Sequence, residues 1–467
     1  MAEKKKTEAQ RLKEQLCYSP KNAGERFSDD EWEMADLFCE GYKKFLDMAK
    51  TEREAVEIAI SMARENGFKA FDPNVKYKSG DRVFLNNRGK ALILCTVGEE
   101  PLDKGVRIVA SHIDSPRLDL KPRPLYEEAQ IALFKTHYYG GIKKYQWTAI
   151  PLALHGVVVR ADGEKVAVII GEDEGDPVFT ISDLLPHLAT EQMQRKATEV
   201  IKGEALNVLV GGRMFKDDKE SERVKLAILK LLNEKYGIIE ADFLSAELSM
   251  VPAFKAADVG LDRSFIGAYG HDDRVCAYTS LMAAIKNKKP THTMVTVLAD
   301  KEEIGSEGNS GLQSKYLQYF VEDLAAPHGI AGRTVLSNSS CLSADVNAAY
   351  DPTYSEVYER NNSAYVNYGV VITKYTGARG KSSTNDASAE FMGQVRAMLD
   401  GAGVQWQTGE LGKVDAGGGG TVAMYVAAHN VDVVDVGVPV LSMHAPFEVV
   451  AKNDVYQTYR AFDAYHK

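Results

Sequence analysis

The feature that most constrains the fold is a pair of short apolar runs near residue 100. The first is Ala91-Leu92-Ile93-Leu94-Cys95-Thr96-Val97, and the second is Val106-Arg107-Ile108-Val109-Ala110. Because the first run is almost entirely apolar rather than alternating, it is typical of a strand that is buried on both faces. Strands of this kind occur in sheets covered by helices. The sequence therefore predicts an α/β fold with a mixed, mostly parallel sheet.

Helical and strand patterns on either side of these runs extend the prediction. Apolar residues at helical spacing between about residues 28 and 67 indicate two helices. After about residue 261 the alternation of helices and strands resumes. The expected elements are a helix over 274–288, a strand over 293–299, short strands ending near Asp345, a helix over 387–399 and a last strand over 431–436.

The middle third of the chain has a different character. Predicted strands at 154–159 and 166–170 are separated by an Ala-Asp-Gly turn, and a charged helical stretch follows over 217–236. Because this segment breaks the α/β alternation, we expect an inserted β-rich domain over 125–260. The α/β domain would then be split in sequence into residues 1–124 and 261–467.

Composition and charge exclude several classes of function. The chain has 467 residues, of which 45% are hydrophobic and 26% charged, as is typical of globular proteins. Its 56 basic and 66 acidic residues give a net charge of −10. A negative net charge repels nucleic acid unless basic residues are clustered. The short basic run is Lys4-Lys5-Lys6, which we interpret as a solvated tail, so a nucleic-acid partner is disfavoured. No signal peptide or membrane span is expected, since an apolar window of about 18 residues is missing.

The cysteines indicate the compartment. Their number is odd and none has the C-x-x-C spacing, so the sequence predicts neither a disulfide framework nor a thiolate zinc site. A reducing compartment, and hence a cytoplasmic location, is the expectation. The cysteines are Cys17, Cys39, Cys95, Cys276 and Cys341.

Five short motifs with metal-binding residue types follow predicted strands or lie in loops, where α/β sheets place their ligand groups. In the first, His112-Ile113-Asp114, an imidazole can bind a metal ion while the carboxylate two residues later orients its other nitrogen. The second motif contains Asp272 and Asp273 at the start of a predicted helix. Aspartates at this position also serve as helix caps.

The other three motifs complete a set of ligands. In Glu302-Glu303, one carboxylate can bind a metal ion while the other acts as a general base toward water. Asp345 ends a short apolar run, and His444 follows the last predicted strands. Together the motifs supply His, Asp, Glu, Asp and His, which two neighbouring divalent cations require if one carboxylate bridges them.

A glycine run over 415–421 has a separate use. Because glycine has no Cβ, backbone amides in this segment can approach a substrate closely. The run lacks the lysine of a phosphate-binding P-loop, so a nucleotide ligand is not expected.

The order of the five motifs resembles that of the co-catalytic dinuclear zinc aminopeptidases and carboxypeptidases. The segments SHIDSPRLDLKPRP, DKEEIGS, SADVNAAYDPTY and MHAPFE are similar to the bacterial branch of the aspartyl aminopeptidase family, and the resemblance extends from about residue 112 to the C-terminus. It implies a metallo-aminopeptidase that hydrolyses N-terminal residues, with a preference for acidic ones, from peptide substrates. It also implies two divalent metal ions, zinc first, with cobalt or manganese as substitutes in vitro.

The resemblance implies which residues bind these ions. His112 and Glu303 would bind separate metal ions, and Asp272 would bridge the two. Asp345 and His444 would complete the two ligand sets.

The resemblance also implies the roles of neighbouring residues. Asp114 would orient His112, and Glu302 would be the general base that passes a proton from the attacking water to the leaving amine. The family's acidic preference is attributed to a basic group in the substrate pocket. Lys381 lies near the matching place, and Arg379 is an alternative.

The insert at 125–260 would be the dimerisation domain of the family, whose dimers assemble into a dodecamer. The eukaryotic members of the family carry a histidine that enters the neighbouring subunit's active site, shortly after a Pro-His-Leu-Ala stretch. This chain has that stretch at 186–189 but Glu191 in place of the second histidine. His187 is therefore a candidate for the missing group, with a structural role as the alternative.

Other functions stay open at this point. A deacylase or carboxypeptidase would use the same metal ligands, because the ligand order is shared between these enzymes. A metal-binding scaffold without catalysis is disfavoured by Glu302, since such a site needs no second carboxylate. An aminopeptidase for neutral or basic N-termini is a further alternative, because Glu191 changes the charge of the pocket.

Overall fold

The structure is a computed structural model that describes residues 6–216 and 219–467. Lys4 and Lys5 of the predicted basic tail lie outside the described residues, as do residues 217 and 218 of the predicted charged helix. None of the described helices combines the length and the apolar composition needed to cross a bilayer.

The helices agree with the sequence patterns where these were strongest. The two helices expected over 28–67 are α2 and α3, and each begins with a capping box formed by a serine or threonine and a glutamate. The helices are α1 (Glu8–Leu16), α2 (Asp29–Met48), α3 (Glu52–Glu65), α4 (Ala197–Val200), α5 (Arg223–Tyr236), α6 (His271–Lys286), α7 (Tyr316–Ala325), α8 (Gly332–Ser337), α9 (Ala389–Gly401), α10 (Ala423–Ala427) and α11 (Lys452–Tyr465).

The strands form three sheets. In chain order they are β1 (Lys69–Ala70), β2 (Arg82–Asn87), β3 (Ala91–Thr96), β4 (Val106–His112), β5 (Arg117–Glu128), β6 (Ile131–Tyr139), β7 (Leu152–Val159), β8 (Lys165–Ile170), β9 (Asn207–Gly211), β10 (Ala246–Pro252), β11 (Ala257–Val259), β12 (Phe265–Ala268), β13 (Thr293–Ala299), β14 (Ser340–Ser343), β15 (Asn347–Ala348), β16 (Val370–Thr373), β17 (Trp406–Thr408), β18 (Asp432–Gly437), β19 (Pro439–Leu441) and β20 (Glu448–Ala451).

The largest sheet confirms the predicted α/β fold. It has nine strands in the order β1-β2-β3-β13-β4-β14-β18-β16-β17. Five of its neighbouring pairs are parallel and three are antiparallel, so the sheet is mixed and mostly parallel. Strand β3 is buried on both faces as expected, but it runs antiparallel to both of its neighbours.

Apolar cores cover both faces of the nine-stranded sheet. Helices α2, α3, α6, α9 and α11 pack on one face, and α7, α8 and α10 pack on the other. The two faces are then shielded from water, so polar groups at the strand ends become the accessible part of the sheet.

A six-stranded antiparallel sheet is built from the middle of the chain, in the order β8-β7-β10-β5-β6-β9. Its own core includes Phe134, Trp147 and Leu154, with α5 packed on it. Strand β5 begins at residue 117 and so crosses the predicted boundary at 125.

The third sheet has five short strands in the order β11-β12-β20-β19-β15. It was not predicted, because its strands are only two to four residues long and have no clear periodicity. Its strand β12 leads into α6, and the turn after β19 carries His444. This small sheet therefore positions two of the predicted motifs.

Candidate metal centre

The carboxyl ends of parallel strands bring the predicted ligands together. Strands β4, β13 and β14 are adjacent and parallel, and their register pairs Ala299 with His112 and Ser343 with Ala110. The residues that follow each strand therefore leave the sheet at the same edge. His112 ends β4, while Asp345 lies two residues after β14.

Asp272 lies between the two predicted histidine ligands. Its Oδ1 is 3.1 Å from His112 Nε2, and its Oδ2 is 3.1 Å from His444 Nε2. Each carboxylate oxygen therefore faces a different imidazole. This is the arrangement that a carboxylate bridging two cations requires.

The remaining predicted ligands divide between the two sides of Asp272. Asp345 Oδ1 is 3.8 Å from His112 Nε2, and Glu303 Oε2 is 3.5 Å from His444 Nε2. Glu302 Oε2 lies 3.9 Å from His112 Nε2. The structure thus brings the acids and imidazoles of all five motifs into one cluster.

Potential ligand atoms can also be grouped by mutual distance. His112, Asp272 and Glu303 offer atoms within 4.8 Å of one another, and so do His112, Asp273 and Asp345. Asp273 was given no ligand role in the prediction. Its carboxylate is fully buried, and its Oδ2 is 3.4 Å from the backbone nitrogen of His112.

Asp114 organises the cluster more widely than expected. His112 Nδ1 is 3.0 Å from the backbone carbonyl oxygen of Asp114 and 3.3 Å from its carboxylate. The carboxylate also accepts hydrogen bonds from the backbone N–H groups of Glu302 and Glu303, at 3.1 and 3.2 Å. One buried residue therefore fixes both the His112 imidazole and the start of the Glu302-Glu303 turn.

The electrostatics of the histidines reflect the surrounding acids. Burial acts to lower the pKa of His112, but the Asp114 and Asp272 carboxylates outweigh it and hold this pKa well above its usual range. Burial also acts to lower the pKa of His444, but the neighbouring carboxylates, chiefly Asp272, outweigh it and raise this pKa to about 10. The protein field around both imidazoles thus favours positive charge.

The acids of the cluster are poorly solvated. Burial raises the pKa of Glu302 to about 7, and it holds the pKa values of Glu303 and Asp345 well above their usual range. Glu303 Oε1 and Asp273 Oδ1 are buried without a hydrogen-bond partner among the described residues. Unpaired oxygen acceptors and imidazoles in a buried, acid-rich cluster fit divalent cations of the zinc type.

A cleft of about 400 Å³ opens onto this cluster. Metal-cluster residues form one wall, including Asp272, Glu302 and His444. The glycine run also lines the cleft, through Gly418, Gly419 and Gly420. A peptide end of one or two residues fits a space of this size.

The two predicted substrate-binding residues lie outside the main cleft. Lys381 lines a smaller adjoining pocket, where its Nζ is 2.9 Å from Asp386 Oδ2 and 3.8 Å from the centre of the Tyr375 ring. Arg379, the alternative, lines the same pocket. His187 is exposed in a 3₁₀ turn of the middle segment and is not among the described residues that line the cleft.

Sequence reasoning missed residues that hold the ligands from behind. Glu448 accepts hydrogen bonds from the backbone N–H of His444 at 2.7 Å and from that of Asp272 at 3.0 Å. The Tyr139 hydroxyl contacts Asp114, and the Gly141 carbonyl oxygen is 2.7 Å from His444 Nδ1. Glu448 has a signal in the sequence, since a single acid follows His444 within the same motif.

Comparison with known proteins agrees with this geometry. Residues 45–466 match the family described as Aminopeptidase I zinc metalloprotease (M18). A relative from Clostridium acetobutylicum, named "Probable M18 family aminopeptidase 1", is 49% identical over 453 residues, which are 95% of this chain and 97% of the relative.

Solved structures share the fold over almost the whole chain. The crystal structure of an M18 family aminopeptidase from Thermotoga maritima has a TM-score of 0.91 and 44% identity, covering 97% of this chain and 100% of that one. A structure described as the S. cerevisiae mApe1 dodecamer has a TM-score of 0.73 and 20% identity, covering 94% and 97% of the two chains. The sequence match, the shared fold and the acid–imidazole cluster lead to one conclusion: this chain belongs to the M18 family of zinc metallo-aminopeptidases.

Proposed function

We propose that this aminopeptidase uses two divalent metal ions, zinc in the first place, to remove N-terminal residues from peptides. The observation that carries the proposal is Asp272, whose two carboxylate oxygens are each 3.1 Å from a different histidine. A carboxylate in this position can serve two cations about 3.5–4 Å apart. Cobalt or manganese could replace zinc in vitro.

The proposed ligands follow the two sides of Asp272. On one side His112 and Asp345 would hold an ion, and on the other side Glu303 and His444 would hold the second. When bound, the pair of ions would polarise the scissile carbonyl and make water a better nucleophile at neutral pH. Asp114 would keep His112 in the orientation that leaves its Nε2 free for binding.

Glu302 is the proposed general base. It lines the cleft, and its Oε2 lies on the His112 side of the cluster. The backbone N–H of Glu302 donates a hydrogen bond to Asp114, which fixes the backbone from which the Glu302 side chain extends. The carboxylate would reach a water molecule in the cleft from this fixed position. Glu302 would accept the proton of the attacking water and donate it to the leaving amine.

The substrate's first side chain would sit between the metal cluster and the glycine run. The smaller pocket that contains Lys381 shares Thr376, Leu411 and Gly418 with the main cleft, so it is a continuation of the same space. A basic group there would favour acidic N-terminal residues. To bind an acidic substrate, Lys381 would have to give up its ion pair with Asp386. A preference for neutral or basic N-terminal residues is therefore kept as the alternative.

Assembly is the proposed role of the inserted segment over 125–260. This segment exposes large apolar side chains, among them Leu188 at 67% and Met193 at 75% of full exposure. Several exposed large apolar side chains are typical of a surface that associates with another chain. A homo-oligomer built from dimers, up to a dodecamer, would bury them and bring His187 toward a neighbouring subunit.

We propose a cytoplasmic location because the cysteines form no disulfide bonds among the described residues. The five cysteines are free, and four of them are buried. Free thiols without disulfides fit a reducing compartment.

A deacylase or carboxypeptidase with the same metals is the second candidate function. The test is to load the purified protein with zinc and assay Asp-, Glu-, Leu- and Lys-nitroanilides together with their N-acetylated forms. An aminopeptidase needs a free α-amine, so we expect the acetylated substrates to be inert. Cleavage of acetylated substrates at comparable rates would contradict the proposal.

The same panel tests the role of Lys381. A partly desolvated charge pair worth about 1.5–3 kcal/mol would favour Asp and Glu substrates by roughly ten- to a hundredfold in kcat/KM. Lys381→Ala should remove this preference, whereas Lys289→Ala, at an exposed lysine that is not among the residues lining either pocket, serves as a control. A preference for Leu or Lys, or an acidic preference that survives Lys381→Ala, would exclude Lys381 from substrate selection.

A further inference from the structure

Three consecutive residues at the end of a strand of the six-stranded sheet reach the metal centre. Strand β6 ends at Tyr139, and the chain continues through Gly140 and Gly141. Each of the three approaches a different member of the cluster. The inserted segment is therefore in direct contact with the residues proposed to carry out the chemistry.

Tyr139 acts on the acid that organises the cluster. Its hydroxyl donates a hydrogen bond of 2.8 Å to Asp114 Oδ2, the oxygen that also accepts the backbone N–H of Glu303. A tyrosine hydroxyl is protonated at neutral pH, so it can only donate to this carboxylate. The donated hydrogen bond fixes the plane of the Asp114 carboxylate.

The position of Tyr139 is itself determined by packing. The guanidinium of Arg117 lies 4.2 Å from the centre of the Tyr139 ring. Arg117 is in turn held by Glu52 and Asp119, each at 2.8 Å. Removing the hydroxyl alone leaves this stacking in place, so the ring has a fixed location with or without its hydrogen bond.

The glycine pair approaches the other side of the cluster. Gly140 has a φ of +75°, and a Cβ at this position would lie 3.2 Å from Glu303 Oε2. Gly141 places its carbonyl oxygen 2.7 Å from His444 Nδ1, which directs His444 Nε2 toward Asp272. Histidine ligands commonly have their second nitrogen fixed in this way.

We propose that Tyr139 is a positioning residue for the metal centre, acting through Asp114 on His112 and on the Glu302-Glu303 turn. The proposal rests on the metal-dependent function proposed above. It gives the inserted sheet a part in the chemistry in addition to assembly. Residues that orient metal ligands from behind typically contribute ten- to a hundredfold to metal affinity or activity.

The experiment compares zinc affinity of the full-length wild type, Tyr139→Phe and Tyr138→Phe by competition with a chromogenic chelator. Tyr138 is the matched control, because it is the neighbouring tyrosine on the other face of β6, is 41% exposed, and has no hydrogen bond to the cluster among the described residues. We expect Tyr139→Phe to weaken zinc binding by about tenfold and to lower kcat with little change in KM. Tyr138→Phe should match the wild type in both measurements.

A second measurement separates positioning from a general structural role. Thermal unfolding of the metal-free proteins should give similar midpoints for all three, since the Tyr139 ring and its contact with Arg117 are retained. Wild-type zinc affinity in Tyr139→Phe, whether or not its metal-free midpoint falls, would overturn the proposal. A wild-type protein that binds no zinc would instead overturn the proposed function, and with it this inference.

Discussion

The nine-stranded and six-stranded sheets use their faces in different ways. In the nine-stranded sheet every residue of β3 and β13 is buried, because helices cover both faces. In the six-stranded sheet β8 alternates between exposed and buried residues, and the sheet has one main core. The first sheet leaves its strand ends accessible, whereas the second also exposes apolar side chains such as Ile131, Ile169 and Leu209.

This difference accounts for the distribution of functional groups. The acids and imidazoles of the cluster lie at the strand ends of the covered sheet, at the start of α6 or in the turn after β19. The middle segment contributes no predicted metal ligand, and its contacts with the cluster come from one strand end, at Tyr139 and Gly141. The proposed chemistry and the proposed association would therefore use different sheets, and the end of β6 joins the second sheet to the cluster.

The largest effect is expected at Asp272, the residue proposed to bind both ions. Asp272→Ala should reduce the zinc content from two ions per chain to nearly none and abolish turnover, because a bridging ligand serves both sites. Elemental analysis of zinc-loaded, desalted protein measures this. The exposed Asp103 lies in the turn before β4, at the other end of that strand from His112, and gives the control variant Asp103→Ala. Two retained ions in Asp272→Ala would rule out the bridge.

A smaller effect is expected from the base beside the ligands. Glu302→Gln should keep the fold and the zinc content, since glutamine is nearly isosteric, while kcat falls by about 10²–10⁴-fold. Steady-state kinetics and elemental analysis of the same preparation test this, with the exposed Glu307→Gln as the control. Turnover close to that of the wild type would remove Glu302 from the mechanism.

The smallest effect on chemistry is expected from the apolar surface of the middle segment. Leu188→Glu should lower the mass measured by light scattering, because a charge there opposes burial of the surface between subunits. Leu37→Glu, on the helix α2 that packs on the nine-stranded sheet, changes a residue of 74% exposure and should leave the mass unaltered. An active wild-type monomer at micromolar concentration would contradict assembly through this segment.

Much of the fold was predictable because local pattern and burial agree. The runs at 91–97 and 293–299 became β3 and β13 almost without change, and apolar residues at helical spacing correctly indicated the helices at 28–67. The five-stranded sheet was not predictable, since strands as short as Asn347–Ala348 have too few residues for a period. The antiparallel pairing of β3 also depends on its neighbours rather than on its own residues.

The sequence by itself determined the α/β class and the five motifs that contain His112, Asp272, Glu303, Asp345 and His444, because these depend on residue type and spacing along the chain. It predicted an insert over 125–260, whereas the first strand of the six-stranded sheet begins at residue 117. The tertiary structure decided which oxygens face which imidazoles. It also recruited partners far away in sequence, such as Glu448 for Asp272 and Tyr139 for Asp114. Hydrogen bonds between distant segments depend on sheet register and on backbone groups, and neither of these leaves a periodic signal in the sequence.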